Sequence, residues 1–107
     1  MNHRSRFVFG LLLLCRGANS FAAGAPSQPA LEGLCAACHG PGGRQPPSPQ
    51  APRLAGQQYA YLVHALDEYR SGARQSPIMG AMAKSLSDAQ IETLARFYAA
   101  QIELGAK

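Results

Sequence analysis

A chain of 107 residues with ten lysines and arginines against six acids, 15% charged and 47% hydrophobic, has room for one modest domain. Its charge of +4 is not the footprint of nucleic-acid binding, because the cations are scattered along the sequence, without a basic stripe or interleaved aromatics. No uninterrupted apolar run approaches the ~20 residues that a membrane-spanning helix needs.

Residues 1–6 carry Arg4 and Arg6 and no acid, residues 7–15 (FVFGLLLLC) are apolar throughout, and small residues follow in RGANSFAAGA. This is the layout of a secretory signal peptide over residues 1–22, with cleavage expected after residue 22 or as late as residue 25. An uncleaved anchor is the plainer alternative. Lipidation at Cys15 is disfavoured because Leu14 stands where a small residue is wanted. Cleavage removes Arg4, Arg6 and Arg16 and no acid, so seven cations remain against six acids and the charge falls to +1. Cys15 leaves as well, which puts Cys35 and Cys38 alone in an oxidising compartment.

A proline-containing leader over residues 23–29 precedes the folded unit, expected over residues 30–104. Ser27, Gln28 and Pro29 supply a cap and an early proline for a short helix over about 30–38. From Gly40 to Gly56, five of the eight prolines and four glycines forbid a helix or strand of useful length. Loops this long inside a small domain usually wrap something or carry function; a wrapper is favoured here over a partner surface at 41–52. Residues 57–71 carry an apolar stripe at Tyr59, Leu62, Val63 and Leu66, continued by Tyr69, and Gly72 is the natural stop. PIMGAMAK at 77–84 has room for one helical turn. Ser87 and Gln90 form a capping box for a last helix with Ile91, Leu94, Ala95, Tyr98 and Ile102 on one face and Gly105 as its end. With no sustained period-two alternation, the fold class is all-α.

The chemistry concentrates in CAACHG at 35–40. A structural zinc site would need two further ligands beside Cys35 and Cys38, and the chain offers only His39, too close to Cys38, and His64. A thioredoxin-type dithiol would need parallel strands around it, and the chain has no candidate strand; a plain structural disulfide stands beside it as a minor alternative. The haem reading needs thiols about one helical turn apart to add to the vinyl groups on one edge of a porphyrin, with the following histidine carried beneath the ring. Cys35, Cys38 and His39 meet that description. A second axial ligand would come from His64, Met79 or Met82. At 100° per residue His64 points away from the apolar stripe of its helix, which leaves the two methionines, each also suited to filling a core.

With CAACHG, PRLAGQ at 52–57, YRSGAR at 69–74, PIMGAMAK at 77–84 and LSDAQIETLARFYA at 86–99, the chain resembles a bacterial class I cytochrome c, and more narrowly one repeat of the diheme periplasmic cytochromes c. The resemblance covers about residues 30–102. It implies a small cytochrome c fold of about four short helices wrapped around one covalently attached haem c. It implies thioethers from Cys35 and Cys38, iron held by His39, and a backbone carbonyl near Pro52 accepting from the other imidazole nitrogen. The family's ligand methionine lies nine residues before the aspartate of Leu-Ser-Asp, which is Met79 counted back from Asp88, with Met82 as second choice. It also implies that Phe97 and Tyr98 pack near the first helix. A single C-x-x-C-H departs from the diheme arrangement, so the chain is a monohaem version or pairs with another copy or cytochrome subunit.

The expected function is that of a soluble periplasmic carrier, not an enzyme. It would pass single electrons between redox proteins through a haem edge near Cys35 and Cys38, without spanning the membrane once processed. Two alternatives stand beside it: a haem subunit of a larger oxidoreductase complex, and an open-iron enzyme or sensor.

Overall fold

The computed structural model describes residue 24 and residues 26–102, so the expected signal segment and the helix stop at Gly105 lie outside the described residues. Four helices follow in order, α1 (Gln28–His39), α2 (Tyr59–Ser71), α3 (Pro77–Lys84) and α4 (Asp88–Ala99), with a 3-10 turn at Pro41–Gly43 after α1. Among the described residues there is no strand, and the fold is all-α.

Helix α1 begins two residues earlier than expected. Pro29 sits in its first turn, where its missing N–H costs nothing, and Gln28 Nε2 donates to Glu32 Oε1 at 2.6 Å. The side chain of Ser27 makes no capping bond. At the other end Gly40, at φ 79°, stops the helix and returns its N–H to Ala36 O. Helix α3 is two turns and not one: Ser76 Oγ accepts from the Met79 N–H at 3.1 Å, Pro77 opens the first turn, and Ala83 is fully buried beneath it.

Helix α4 starts at the expected capping box, with Ser87 Oγ accepting from Gln90 N and Gln90 Oε1 accepting from Ser87 N. Its end departs from expectation. The Tyr98 carbonyl accepts from both Gly56 N at 3.0 Å and Gln101 N at 3.1 Å, and Gln101 Nε2 caps Phe97 O, so the helix stops at Ala99. Ile102, expected on its apolar face, is off the helix and 74% exposed.

Ile91, Leu94, Ala95 and Tyr98 form the buried stripe of α4, spaced as an amphipathic helix requires. Leu94, Ala95 and Tyr98 join Leu31 of α1 and Leu62 of α2 in one core, with Leu54, Val63, Leu86 and Phe97 packed around it. The expected contact of the last helix with the first is made through Leu31 and Tyr98. On α2 the buried positions are Leu62 and Ala65. Tyr59, expected in the stripe, is 38% exposed, because it sits at the helix start with the Arg96 guanidinium over its ring at 5.5 Å. Arg70 ties the end of α2 to the start of α4: Nη2 reaches Asp67 Oδ1 at 2.9 Å and Asp88 Oδ1 at 2.6 Å, and Nη1 donates to Leu86 O. The excursion through α3 is thereby held between two fixed ends.

Two glycines separate conformational from steric demand. Gly72 at φ 85° ends α2 in the left-handed region with open space where a side chain would stand. Gly43 at φ 68° faces the core, where an added Cβ would lie 2.7 Å from Leu54 Cβ and 3.0 Å from Tyr98 Cδ1. Gly72→Ala should cost about 1–2 kcal/mol from backbone conformation alone. Gly43→Ala should cost that plus about 1–3 kcal/mol of forced displacement in the core. Denaturant unfolding followed by helical circular dichroism measures both; equal losses would show that the loop yields to a methyl group at Gly43.

Candidate cofactor site

The proline-rich segment after α1 is a closed loop. Gly43 O accepts from both Leu54 N at 2.9 Å and Ala55 N at 3.1 Å, and Gly56 N is bound to Tyr98 O. Arg44 Nη2 donates to Gln101 Oε1 at 3.1 Å, adding a tie to the end of α4. Pinned at both ends, the loop carries the Pro52 carbonyl to 2.7 Å from His39 Nδ1. A carbonyl only accepts, so this contact makes Nδ1 the protonated nitrogen and leaves the lone pair on Nε2. His39 is buried, 6% exposed, at the last position of α1.

His39 faces a cavity of about 200 Å³ whose walls come from every helix and from the loop. Cys35 and Cys38 stand on it from α1, Pro52 and Leu54 from the loop, Met79 and Met82 from α3, and Leu86 and Leu94 from the segment of α4 and its approach. Helix α2 contributes Leu62 and Leu66, and also Tyr61, Ala65 and Tyr69. The structure thus brings together Cys35, Cys38, His39, Pro52, Met79 and Met82. The two methionines are three positions apart on α3 and share a face, so both reach the wall. His64 is not brought there: its side chain is 73% exposed and its Nε2 lies 2.6 Å from Glu68 Oε1.

Of the two cysteines on α1, Cys38 is exposed and Cys35 half-buried. Burial pushes the Cys35 thiol up from its ordinary value, opposed in part by its hydrogen bond with Tyr98. Burial likewise pushes the Tyr98 hydroxyl up, reinforced by the neighbouring Cys35. Both groups are therefore neutral where they meet. Among the described residues no three His, Cys, Asp or Glu side chains gather in a ligand cluster, so a tetrahedral metal ion finds no set of donors. A flat apolar ring bearing thiol-reactive vinyls and a metal ion at its centre fits this donor set: paired thiols, an oriented imidazole and thioethers around a greasy wall.

Sequence reasoning missed Tyr61 and Arg74 on the cavity wall, where Tyr69, expected on the stripe, also stands. A signal was present, because Tyr61, Ala65 and Tyr69 repeat at i, i+4 and i+8 beside the stripe at 62 and 66, which marks a helix with two occupied faces.

Residues 25–99 match the family described as Cytochrome c. Over 64 residues the chain is 47% identical to the thiosulfate dehydrogenase electron acceptor of Thiomonas intermedia, covering 60% of this chain and 30% of that protein. It is 35% identical over 94 residues to cytochrome c4 of Pseudomonas aeruginosa, covering 88% and 44%. It is 40% identical over 72 residues to cytochrome c-554(548) of Halomonas halodenitrificans, covering 64% and 86%. The chain spans less than half the length of the first two relatives and most of the third. It belongs to the cytochrome c family, whose members carry covalently bound haem c, and a single haem fits this chain.

Proposed function

We propose that the chain is a periplasmic one-electron carrier, a monohaem unit over residues 30–104, in which iron is held between His39 and Met79. The observation that carries this reading is the meeting, on one apolar cavity, of a carbonyl-anchored imidazole from α1 and a thioether from α3. When bound, haem supplies the one-electron iron couple; the chain supplies everything that sets its ease and speed. His39 gives Nδ1–H to Pro52, which orients the ring and raises the basicity of Nε2. The Ser76 cap on the Met79 N–H and buried Ala83 on the same helix fix the Met79 backbone beside the cavity. With the His39 ring anchored and the Met79 backbone fixed, these residues would hold iron in the same coordination through both oxidation states. The apolar wall excludes water and favours the state of lower charge, and methionine opposite histidine acts in the same direction.

Redox partners would approach near Cys38 and Leu34, which α1 presents to solvent. Transient encounters of this kind suit interfaces below ~1,200 Å². The relative named as electron acceptor of a thiosulfate dehydrogenase supports a role as acceptor from a dehydrogenase. Export rests on the signal-like residues 1–22, and among the described residues no helix is long and apolar enough to cross a membrane.

Two measurements on protein produced in a haem-attaching host test the reading. The pigment should resist acid–organic extraction and add its mass to the chain; Cys35→Ala with Cys38→Ala together should release it. Met79→Ala should turn the ferric spectrum high-spin, abolish the weak far-red sulfur-to-iron band, lower the potential and admit cyanide at once, whereas Met82→Ala should keep the band. The reverse pattern would move the ligand to Met82. Immediate cyanide or carbon monoxide uptake by the unaltered protein would sink the carrier reading in favour of an open-iron enzyme or sensor.

A further inference from the structure

Helix α3, which carries Met79, has its main helical neighbour in α2. Gly80 lies against the last turn of α2, where an added Cβ would come 3.8 Å from the Tyr69 carbonyl, and Ala83 is fully buried. The outer face is bare: Ile78 is 68% exposed, and Ala81 and Lys84 are exposed with it. Two turns of helix have little stability of their own, so packing on one neighbour is a weak hold on α3.

Arg70, next in sequence to the carbonyl that Gly80 approaches, supplies a second hold. From the last turn of α2 its Nη1 donates to Leu86 O at 3.2 Å, and its Nη2 donates to Asp88 Oδ1 at 2.6 Å and to Asp67 Oδ1 at 2.9 Å. Leu86 and Asp88 lie sixteen and eighteen positions along the chain, so the guanidinium closes a loop with Met79 near its middle. An isolated exposed ion pair would contribute little. Here one planar fork serves three acceptors at once, and two of them belong to the stretch that returns from α3. Arg70 itself is not among the residues that line the cavity.

We propose that Arg70 is a positioning residue for Met79, a clasp at the base of the α3 loop that sets how often iron is opened to an outside ligand. This rests on the proposed seat of iron between His39 and Met79. A thioether whose backbone stays beside the cavity returns soon after each release; once α3 lifts from α2, another ligand has time to take its place. With the base clasped, lifting costs the Arg70 bonds as well as the packing at Ala83. The Asp88 side chain is 83% exposed, so dissolved salt reaches this end of the clasp and weakens it. Opening therefore speeds up as ionic strength rises.

The test uses the full chain, loaded with haem and oxidised, mixed with rising concentrations of imidazole. The rate of imidazole entry should level off, and the plateau is the rate at which iron is opened. Arg70→Met should raise that plateau about tenfold, the size expected for lost hydrogen bonds to charged groups, and Arg70→Lys should raise it less. The wild-type plateau should climb with sodium chloride, and that of Arg70→Met should be nearly flat. Arg96→Gln, which removes a cation from the outer side of α4, should keep both the plateau and its salt dependence. If Arg70→Met fails to fold, Asp88→Asn should give a smaller rise and a weaker salt dependence. A plateau in Arg70→Met or Asp88→Asn that matches wild type in height and salt response would overturn the clasp. So would an equal rise in Arg96→Gln. Wild-type protein without the far-red sulfur-to-iron band would instead overturn the ligation by Met79, and that result is read before any variant is compared.

Discussion

The 2.7 Å contact between His39 Nδ1 and the Pro52 carbonyl constrains more of the molecule than any other single bond. An imidazole at the end of a short helix would otherwise turn about its side-chain bonds and present either nitrogen. Fixing it needs an acceptor that arrives from outside the helix at one position, and thirteen residues separate the two groups in sequence. The prolines of the loop limit its conformers before folding, which lowers the entropy lost when it closes. The double acceptance by Gly43 O and the tie from Gly56 N to Tyr98 O then set where Pro52 falls. Gly43 belongs to the same requirement: the strand of loop that returns past it comes so near that no side chain fits between Leu54 and Tyr98.

Tyr98 is where the loop, the cofactor wall and the core meet. Its ring is buried against Leu31 and Leu62 and stands edge-on to Phe97, with centroids 4.9 Å apart and planes at 77°. Its carbonyl holds Gly56 and ends α4; its hydroxyl meets Cys35. A shift of this one residue would therefore be felt at the loop closure, beside Cys35 and at the helix terminus together. Such coupling explains how a chain with so few buried side chains keeps a single arrangement: one residue is used in several places through its ring and its main-chain carbonyl, so the contacts support one another.

Local signals in the sequence carried over where the physics is local. The capping box at Ser87 and Gln90, the stop at Gly72 and the outward face of His64 depend on residues within a turn or so of one another, and they stand where the residues alone put them. C-x-x-C-H is equally local, since its meaning lies in the spacing along one helix. The misses share a different origin. Helix α4 ends at Ala99 because Gly56, more than forty positions away in sequence, takes the Tyr98 carbonyl. Helix α3 reaches two turns because Ala83 finds a fully buried place beneath it. Tyr59 leaves the stripe for Arg96, and Tyr61 and Arg74 were hidden because the cavity wall extends beyond the stripe of α2. Each depends on a partner distant in sequence, which no window of periodicity contains.

The size of the polypeptide's own core bears on why the cofactor is covalent. Among the described residues, Ile91 and Leu94 are the largest side chains that are fully buried, and several of the remaining core positions are alanines. At about 25 cal/mol per Å² of apolar surface, a core of this size supplies little margin over the entropy of ordering so long a loop. Domains of this length commonly rely on a staple or a bound group. Leu62, Leu66 and Leu86 on the cavity wall would pack against the apolar faces of a haem, whose binding energy would then be folding energy for the chain that holds it. A reversible ligand would stabilise the fold only in proportion to its supply. Thioether bonds at the proposed sites, Cys35 and Cys38, would remove that dependence, and the fold would then be completed once, when the links form.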